Sequence, residues 1–296
     1  NGGSEVVIEN CTVDMNTASG TGGGAYFSTT TPEVTGCSFS DNQSINGEGG
    51  GAYLNIPNGT FSDNDVLGNA SASNGGGLRL VSANGTLSNN RIDGNVAGTG
   101  RGGGAYVSGN TNAFSGGSIS GNTAGSQGGG LDVTGAGVTV GTCRIAGNEA
   151  LVRGGGLYWA GTGGSIAGTP TAYNVVAGNT APVGPAVYHA APSGQDLAAQ
   201  QVCWGVVDAG AISDLIHDFF DDSALGIVLF FPFIDDPDCA GDPCPEDLDD
   251  SGAVDFGDLL AILAAWGPSS DGDVTGDGVT DFADLLAALA AWGPCP

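Results

Sequence analysis

The chain has 296 residues, among them 56 glycines, 32 acidic residues and only five basic ones, so its formal net charge is -27. This composition excludes an ordinary helical enzyme. The charge argues against nucleic acid or an anionic membrane as a partner and favours cations, above all calcium.

The cysteine content and the hydropathy pattern suggest a secreted or cell-surface protein. Seven cysteines in an acidic chain favour an oxidising compartment. No apolar run reaches the roughly 18 residues that a membrane span needs. No signal peptide precedes Asn1, so we expect the sequence to be a mature or truncated form.

A Gly-Gly-Gly triplet recurs every 26 or 27 residues, starting at Gly22, Gly49, Gly75, Gly102, Gly128 and Gly154. Each triplet precedes an apolar, outward, apolar trio such as Ala25-Tyr26-Phe27, which has the period of a strand. Two further apolar anchors follow in every unit, for example Val34 and Phe39. We therefore predict a mainly β chain whose coils of about 26 residues contain three strands each.

Each third strand carries an asparagine three residues after its anchor, and Val13 with Asn16 supplies the same pair for an earlier coil. Such a residue turns the chain and can bond its counterpart one coil away, which predicts a ladder. The set is Asn42, Asn69, Asn95, Asn122, Asn148 and Asn179.

The combination Gly-Gly-Ala/Leu followed by Phe/Ile-x-x-Asn resembles the repeats of chlamydial polymorphic outer membrane proteins and of bacterial right-handed β-helix proteins, over residues 6–190. The resemblance implies a right-handed parallel β-helix, which we place at residues 1–204, and an extracellular setting. Adhesins, passenger domains and polysaccharide lyases share this fold, so no activity is implied.

The repeat ends in a segment, residues 205–235, that resembles the closing segments of many bacterial β-helices and should cover the open core. Within it, Ile212, Leu215, Ile216 and Phe219 have the spacing of a helix with one buried face, which predicts a helix over residues 209–219. Both histidines are interpreted as packing residues, His189 on a strand and His217 on this helix.

Beyond a linker at residues 236–245, two acidic segments align with an offset of 26 residues. Each places oxygen ligands at positions 1, 3, 5, 9 and 12 of a loop, a glycine at position 6 and a backbone carbonyl at position 7, as a calcium loop requires. The ligand sets are Asp247, Asp249, Ser251, Ala253, Asp255 and Asp258, then Asp273, Thr275, Asp277, Val279, Asp281 and Asp284.

A short helix follows each loop, at residues 259–266 and 285–292, and we expect the two apolar faces to pack together. This duplicated pattern resembles type I dockerins, small EF-hand-like α-helical domains, and sets a domain at residues 246–296. The resemblance implies two bound Ca²⁺ ions and docking onto a cohesin-like or other protein partner. Thr275 and the absence of Lys and Arg from the helices depart from the family pattern.

Two disulfides are considered from the sequence. Cys11 and Cys37 occupy the same place in adjacent coils, about 4.8 Å apart by strand spacing, so a bridge is geometrically allowed. Cys143, at the same place in a later coil, is interpreted as buried. Cys244 and Cys295 flank the duplication and would join its ends, although Cys239 competes for the same partner.

No catalytic residue is assigned. The chain lacks lysine, its arginines (Arg79, Arg91, Arg101, Arg144 and Arg153) are scattered, and no Asp cluster is visible. The outward positions after the triplets are rich in tyrosine and form a candidate carbohydrate- or partner-binding strip; the alternative is cross-strand pairing that only stabilises the sheet. We call Tyr26, Tyr53, Tyr106, Tyr158 and Tyr188 the tyrosine strip. The favoured hypothesis is that the β-helix is a non-catalytic carbohydrate- or partner-binding surface. The alternative hypothesis is a polysaccharide lyase or glycoside hydrolase.

Overall fold

The computed structural model of the protein describes residues 6–28, 32–81, 84–236, 239, 248, 253–267, 272, 274, 279–290 and 292–294. The chain divides into two units, Asn1–Cys239 and Ala240–Pro296. A disulfide between Cys203 and Cys239 holds the end of the first unit. The first residues of the predicted linker therefore belong to that unit, while residues 240–245 lie outside the described residues.

The first unit is a solenoid in which each regular coil adds one short strand to each of four parallel sheets. The first sheet contains Ala25–Ser28, Ala52–Asn55, Leu78–Leu80, Ala105–Val107, Leu131–Val133, Leu157–Trp159, Val187–His189 and Ile216–His217. The second contains Val7–Glu9, Glu33–Thr35, Thr60–Ser62, Thr86–Ser88, Ala113–Ser115 and Thr139–Gly141. The third contains Thr12–Asp14, Ser38–Ser40, Asp65–Leu67, Arg91–Asp93, Ser118–Ser120, Arg144–Ala146, Asn174–Ala177 and Val202–Cys203. The fourth contains Thr17–Ala18, Gln43–Ser44, Ala70–Ser71, Val96–Ala97, Thr123–Ala124 and Glu149–Ala150.

The first three sheets hold the three strands per coil that the apolar anchors indicate. The fourth sheet has strands of only two residues, just after the ladder asparagines. Its buried positions carry small side chains, such as Ser44, Ala97 and Ala124, so no large apolar residue marks these strands in the sequence. Periodicity in large apolar residues detects only strands that contribute such anchors to the core.

The core consists of like positions stacked on one another. In the first sheet Leu54, Leu80, Val107, Val133 and Trp159 align in register, and each is at most 1% exposed. Burying a side chain of this size stabilises a fold by about 1.5–3 kcal/mol before chain entropy is considered. The alternation of inward apolar and outward residues therefore fixes which face of each strand meets the core.

The predicted asparagine ladder is confirmed. The backbone N–H and the side-chain Nδ2 of Asn95 both donate to Oδ1 of Asn122, at 2.9 Å each, and Nδ2 also donates to the carbonyl of Val66. Neither asparagine is exposed. The ladder thus satisfies the polar groups of a buried turn in coil after coil.

The glycine triplets permit a close approach between coils. A Cβ at Gly77 would lie 2.7 Å from the carbonyl oxygen of Gly104 and 3.0 Å from the side chain of Asn95. The first glycine of that triplet, Gly75, has φ +67°, a left-handed conformation that glycine adopts without strain. The triplet is therefore required by both backbone conformation and space.

The closing segment differs from the prediction. Helix α1 spans only Ala209–Asp214, with Asp208 as its N-cap, and Ile216–His217 forms a strand at the edge of the first sheet. The carbonyl of Leu215 accepts the N–H of Ala186 at 2.9 Å. Residues 216 and 217 thus pair with the edge strand of the first sheet instead of continuing the helix, and the predicted helix over 209–219 is wrong beyond residue 214. His217 consequently lies on a strand, not on a helix.

Later in the closing segment, the strand Val228–Leu229 pairs in parallel with Leu197–Ala198, which precedes the segment. His189 is buried at an inward strand position, as expected of a packing residue, and its two ring nitrogens lie near the carbonyls of Trp159 and Gln195. The buried carboxylate of Asp218 accepts the N–H groups of Phe220 and Val228. These bonds order the loop that covers the end of the core.

The second unit has helices α2, Phe256–Ala264, and α3, Phe282–Ala290. The strand Ala253–Val254, before α2, pairs antiparallel with Gly293–Pro294, after α3. Thr280, before α3, exchanges two 2.9 Å hydrogen bonds with Gly267, after α2. Each copy of the duplicated segment is therefore joined to the end of the other copy. Val254, Ile262 and Ala288 form its small core, which realises part of the predicted contact between the helices.

Candidate functional site

The tyrosine strip lies on the outer face of the first sheet, as the alternation predicts. The strand register places the outward residues one above another in the order Tyr26, Tyr53, Arg79, Tyr106, Asp132, Tyr158, Tyr188 and His217. His217, from the closing segment, extends this column by one coil.

The column forms two separate aromatic stacks. The rings of Tyr26 and Tyr53 are 4.8 Å apart and nearly parallel; those of Tyr158 and Tyr188 are 5.5 Å apart, and His217 stacks on Tyr188 at 4.7 Å. Parallel rings at these distances cover one another's faces. The five tyrosines do not form the flat platform that a continuous stacking strip would need, and cross-strand pairing accounts for both stacks.

The centre of the column is charged. Tyr106 is 7% exposed, and the guanidinium groups of Arg79 and Arg101 lie 4.1 and 4.6 Å from the centroid of its ring. Arg79 also pairs with Glu48 at 2.9 Å, and Arg101 donates to the hydroxyl of Tyr106 at 2.8 Å. Tyr106 is thus the least accessible of the ring faces proposed for binding.

Asp132 stands next to this cluster and is fully buried. Neither of its carboxylate oxygens accepts a hydrogen bond of ordinary geometry from the described residues. Its Oδ2 lies 4.0 Å from Nε of Arg101. Burial raises the pKa of Asp132 to about 7, against the opposing influence of Arg101, Gln127 and Arg79. Perturbed carboxyl groups of this kind are enriched at functional sites.

A second column borders the first and was missed in the sequence. It consists of the residues that immediately precede each glycine triplet. Two members of this second column contact the first. Arg101 donates to the hydroxyl of Tyr106 and lies 4.0 Å from Oδ2 of Asp132, and Arg153 donates to the hydroxyl of Tyr188 at 3.3 Å. Three of the five arginines thus lie on one sheet face, Arg79 and Arg101 at Tyr106 and Arg153 at Tyr188, although they are scattered in sequence. The signal that would have found two of them is the position before the triplet, held by Thr21, Glu48, Asn74, Arg101, Gln127 and Arg153.

Only part of the proposed calcium loops is described. Asp247, Asp249, Ser251, Asp273, Thr275 and Asp277 lie outside the described residues. Ala253 and Val279, the proposed carbonyl ligands, directly precede the paired residues Val254 and Thr280. Among the residues that the structure describes, no group of three or more His, Cys, Asp or Glu could hold a metal ion.

The carboxylates at positions 9 and 12 are described in both copies. Asp258 and Asp284 are fully buried. The N–H of Asp255 donates to Asp258, and that of Asp281 to Asp284, each at 2.7 Å. Asp258 also accepts the N–H of Leu248 at 2.6 Å. The two copies therefore hold equivalent carboxylates in equivalent places.

Helices α2 and α3 each expose a row of apolar side chains. The exposed fractions agree between the copies: 65% and 60% for Phe256 and Phe282, 51% for both Leu260 and Leu286, 52% and 48% for Leu263 and Leu289, and 50% and 52% for Trp266 and Trp292. The helices begin three residues before the predicted starts at 259 and 285 and end before the tryptophans, so the predicted bounds 259–266 and 285–292 are wrong at both ends. We call these rows the helix faces. Their leucines and tryptophans lie in the segments that were predicted to pack together, but they are exposed.

The cysteine assignments need correction. Cys11 and Cys37 have free thiols, and the N–H of Cys11 donates to Sγ of Cys37 at 3.4 Å; the bridge that the sequence allowed is not formed. Strand spacing brings the residues close, but both thiols point to backbone carbonyls. Cys239, considered as a competitor in the tail, pairs instead with Cys203. Cys143 is free and buried, as expected, while Cys244 and Cys295 lie outside the described residues.

The comparisons with known proteins agree with the solenoid. Residues 1–123 match the family model described as a right handed beta helix region. The first unit is a right-handed parallel β-helix. The matched residues include four of the six glycine triplets and none of the second unit. No curated protein and no solved structure matches the chain. Among the described residues, no helix has the length and apolarity to cross a membrane.

Proposed function

We propose that the chain is a secreted or cell-surface, non-catalytic β-helix that a calcium-binding, dockerin-like module attaches to a cohesin-like protein partner. The observation that carries the proposal is the matched exposure of the two helix faces. Large apolar side chains that a small domain leaves exposed in contiguous rows typically mark an interaction surface.

The spacing of these side chains favours docking along the helices. Phe256, Leu260 and Leu263 recur at intervals of four and three residues, which places them on one side of α2, and α3 repeats the pattern. The last 57 residues contain twelve acidic residues and no basic one. The complementary partner is therefore a protein with an apolar surface that basic residues surround.

The described carboxylates suit calcium. Ca²⁺ takes six to eight oxygen ligands, and Asp255, Asp258, Asp281 and Asp284 supply carboxylates at equivalent loop positions. Their hydrogen bonds to backbone N–H groups orient these carboxylates at the helix starts. In each copy the other proposed ligands precede them in sequence. A bound divalent cation would offset the cost of holding Asp258 and Asp284 away from water.

On the β-helix, the first sheet is the surface proposed for carbohydrate. Its column combines phenol hydroxyls, Arg79 and Asp132, and Arg101 and Arg153 border it, within a chain that is otherwise poor in basic residues. A carbohydrate would meet ring edges and polar groups along most of the column, because the stacked rings cover one another. Sugars would therefore contact the ring edges and hydroxyls of the two stacks, because Arg79, Tyr106 and Asp132 at the centre of the column are buried.

One observation favours the alternative, a polysaccharide-degrading enzyme. The pKa of Asp132 is raised to about 7, which suits a general acid near neutral pH. Glycoside hydrolysis generally needs a second carboxyl group, whereas the groups that influence Asp132 are Arg101, Gln127 and Arg79. Release of reducing or unsaturated sugars from a panel of polysaccharides by the full chain would support the enzyme and contradict the non-catalytic reading.

The docking proposal is tested with the full chain and a type I cohesin domain, in calcium and in chelator. We expect binding in calcium that chelator abolishes and that the double substitution Leu260→Asp, Leu286→Asp weakens at least tenfold, because both helix faces become charged. Leu151→Asp changes a comparably exposed leucine on the β-helix and serves as the matched control. Undiminished cohesin binding by the double variant would overturn the assignment of the helix faces.

A further inference from the structure

One of the two tyrosine stacks on the first sheet lies at an exposed position. Tyr26 and Tyr53 are paired in register on adjacent parallel strands, and their rings are 4.8 Å apart with an angle of 9° between their planes. Tyr26 is 55% exposed, so solvent reaches its phenol group. We call this pair the exposed stack. The second stack, Tyr158 on Tyr188, also joins two phenols but is only partly exposed.

The geometry of the exposed stack suits a bond between the two rings. Side chains at paired positions of parallel strands leave the sheet in the same direction, so the two hydroxyls point the same way. The ring carbons beside each hydroxyl therefore lie near their counterparts. These ortho carbons are the ones that react when phenols are oxidised to radicals. Because Tyr26 is exposed, its ring can turn about its side-chain bonds and close the remaining distance.

The two stacks also differ in the charge that surrounds their rings. The guanidinium of Arg153 lies 4.9 Å from the centroid of Tyr188 in the second stack. Arg79, the next residue in register after Tyr53, directs its guanidinium over Tyr106 instead. A phenol that loses an electron is positively charged until it releases its proton, so a guanidinium over the ring opposes the oxidation. The exposed stack is therefore the easier of the two to oxidise.

A bond within the exposed stack would join the first two coils. The strand Ala25–Ser28 lies at the edge of the first sheet, and its partner in that sheet is Ala52–Asn55. At the other end of the unit, the disulfide Cys203–Cys239 already fastens the chain. A covalent bond between Tyr26 and Tyr53 would close the loop between them and restrict the unfolded chain, as a disulfide does. The edge strand would then be held to its neighbour covalently.

We propose that Tyr26 and Tyr53 form an oxidative cross-linking site, at which a peroxidase and hydrogen peroxide join the two side chains as dityrosine. Each phenol gives up one electron and one proton, and the two phenoxyl radicals form a carbon–carbon bond between their ortho carbons. The hydrogens on those carbons then move to the phenol oxygens, which restores both aromatic rings. One molecule of hydrogen peroxide takes up the two electrons and two protons and becomes two molecules of water. The site is independent of carbohydrate binding and of docking through the helix faces.

The test treats the full chain, at low concentration, with horseradish peroxidase and hydrogen peroxide. We expect a monomeric product that shows dityrosine fluorescence and whose mass is lower by two hydrogens. A protease that cleaves after glutamate separates Tyr26 from Tyr53, because Glu33 and Glu48 lie between them. The cross-link should therefore appear as two joined peptides. Oxidation of sulfur atoms adds oxygen and raises the mass, so the two reactions are distinguished.

Substitution by phenylalanine identifies the tyrosines that react. Tyr26→Phe and Tyr53→Phe each keep the stacked ring but remove the phenol hydroxyl, and we expect each to lower the yield of dityrosine at least tenfold. Tyr188→Phe makes the same change in the second stack and is the matched control, which should leave the yield unchanged. Unfolding curves confirm that the variants are folded.

Three outcomes would contradict the proposal. Loss of dityrosine in Tyr188→Phe, with normal yield in Tyr26→Phe, would place the reaction in the second stack. A product that consists of dimers joined through Tyr26 would overturn the link within one chain. Absence of dityrosine under conditions that couple free tyrosine would overturn the site altogether.

Discussion

The two units repeat with nearly the same period but stack their copies differently. In the β-helix, successive triplets are 26 or 27 residues apart, and each copy is placed on the last in parallel register. In the tail, two copies offset by 26 residues exchange their ends, with Ala253–Val254 paired to Gly293–Pro294 and Thr280 to Gly267. The parallel stack of the β-helix could be extended by further coils, whereas the two copies in the tail pair only with each other.

This difference in stacking determines which side chains find hydrogen-bonding or packing partners within the chain. Translation brings like residues together, so Asn95 bonds Asn122 and Tyr158 stacks on Tyr188. Two copies that face each other can bury only one side of each helix. The tail accordingly buries Ile262 and Ala288 and leaves the helix faces exposed. A stack of coils supplies contacts for its own side chains, whereas the closed pair in the tail leaves one apolar side of each helix exposed.

Removal of calcium should produce the largest difference in stability between the two units. We expect chelator to abolish the helical signal of the tail while the β-helix remains folded, because a module of this size with so small a core is marginal without metal. Scanning calorimetry of the full chain should show two transitions in calcium, of which chelator removes one. The substitution Asp258→Asn with Asp284→Asn should reproduce the effect in calcium. An unchanged pair of transitions in chelator would contradict the calcium loops.

The repeats show what pattern alone can predict. The strands of the first three sheets, the asparagine ladder and the outward column follow from the sequence because each recurs once per coil with the same side-chain chemistry. The closing segment occurs once and has no such support. There the spacing of Ile212, Leu215 and Ile216 suits a helix, yet the edge of the first sheet takes Ile216 as a strand. Local periodicity cannot anticipate a hydrogen-bonding edge supplied by a distant segment.

The asparagine ladder provides the next test. Asn122→Ala removes the acceptor for two donors of Asn95 and the two bonds that Nδ2 of Asn122 donates, to the carbonyl of Ile92 and to Oδ1 of Asn148. The backbone N–H of residue 122 still donates to Oδ1 of Asn148. Buried polar groups that lose partners cost about 1–3 kcal/mol each, so we expect a loss of about 3–5 kcal/mol in the free energy of unfolding of the β-helix. Chemical denaturation measures it.

Asn46→Ala is the matched control for the ladder. Asn46 is exposed and makes one 3.3 Å hydrogen bond, from Nδ2 to the carbonyl of Ser19. Its substitution should change the stability by less than about 0.5 kcal/mol, as at most surface sites. Equal effects of the two substitutions would show that the ladder contributes nothing beyond a surface asparagine.

The site was less predictable than the fold for a physical reason. Asp132 interrupts a tyrosine column, and in sequence it is one acidic residue at an outward position, which ordinarily means solvation. Its burial arises from long side chains that reach it from other positions, including Arg101 and Gln127. Such cover depends on side-chain direction in three dimensions and not on strand spacing.

Asp132 interrupts the tyrosine column of the first sheet, and its neighbours in register are Tyr106 and Tyr158 rather than other acidic residues. Because burial raises its pKa to about 7, the folded state holds a proton that the unfolded chain releases near its ordinary value of 3.8. Above that ordinary value the unfolded state binds fewer protons, so stability falls as pH rises towards and through 7. The group should lower the free energy of unfolding by about 2–3 kcal/mol between pH 5 and pH 8. Thermal unfolding should show this decline in the wild type and a weaker decline in Asp132→Asn, which cannot ionise. Equal pH dependence in both proteins would mean that Asp132 is ionised and paired across this pH range, contrary to the prediction.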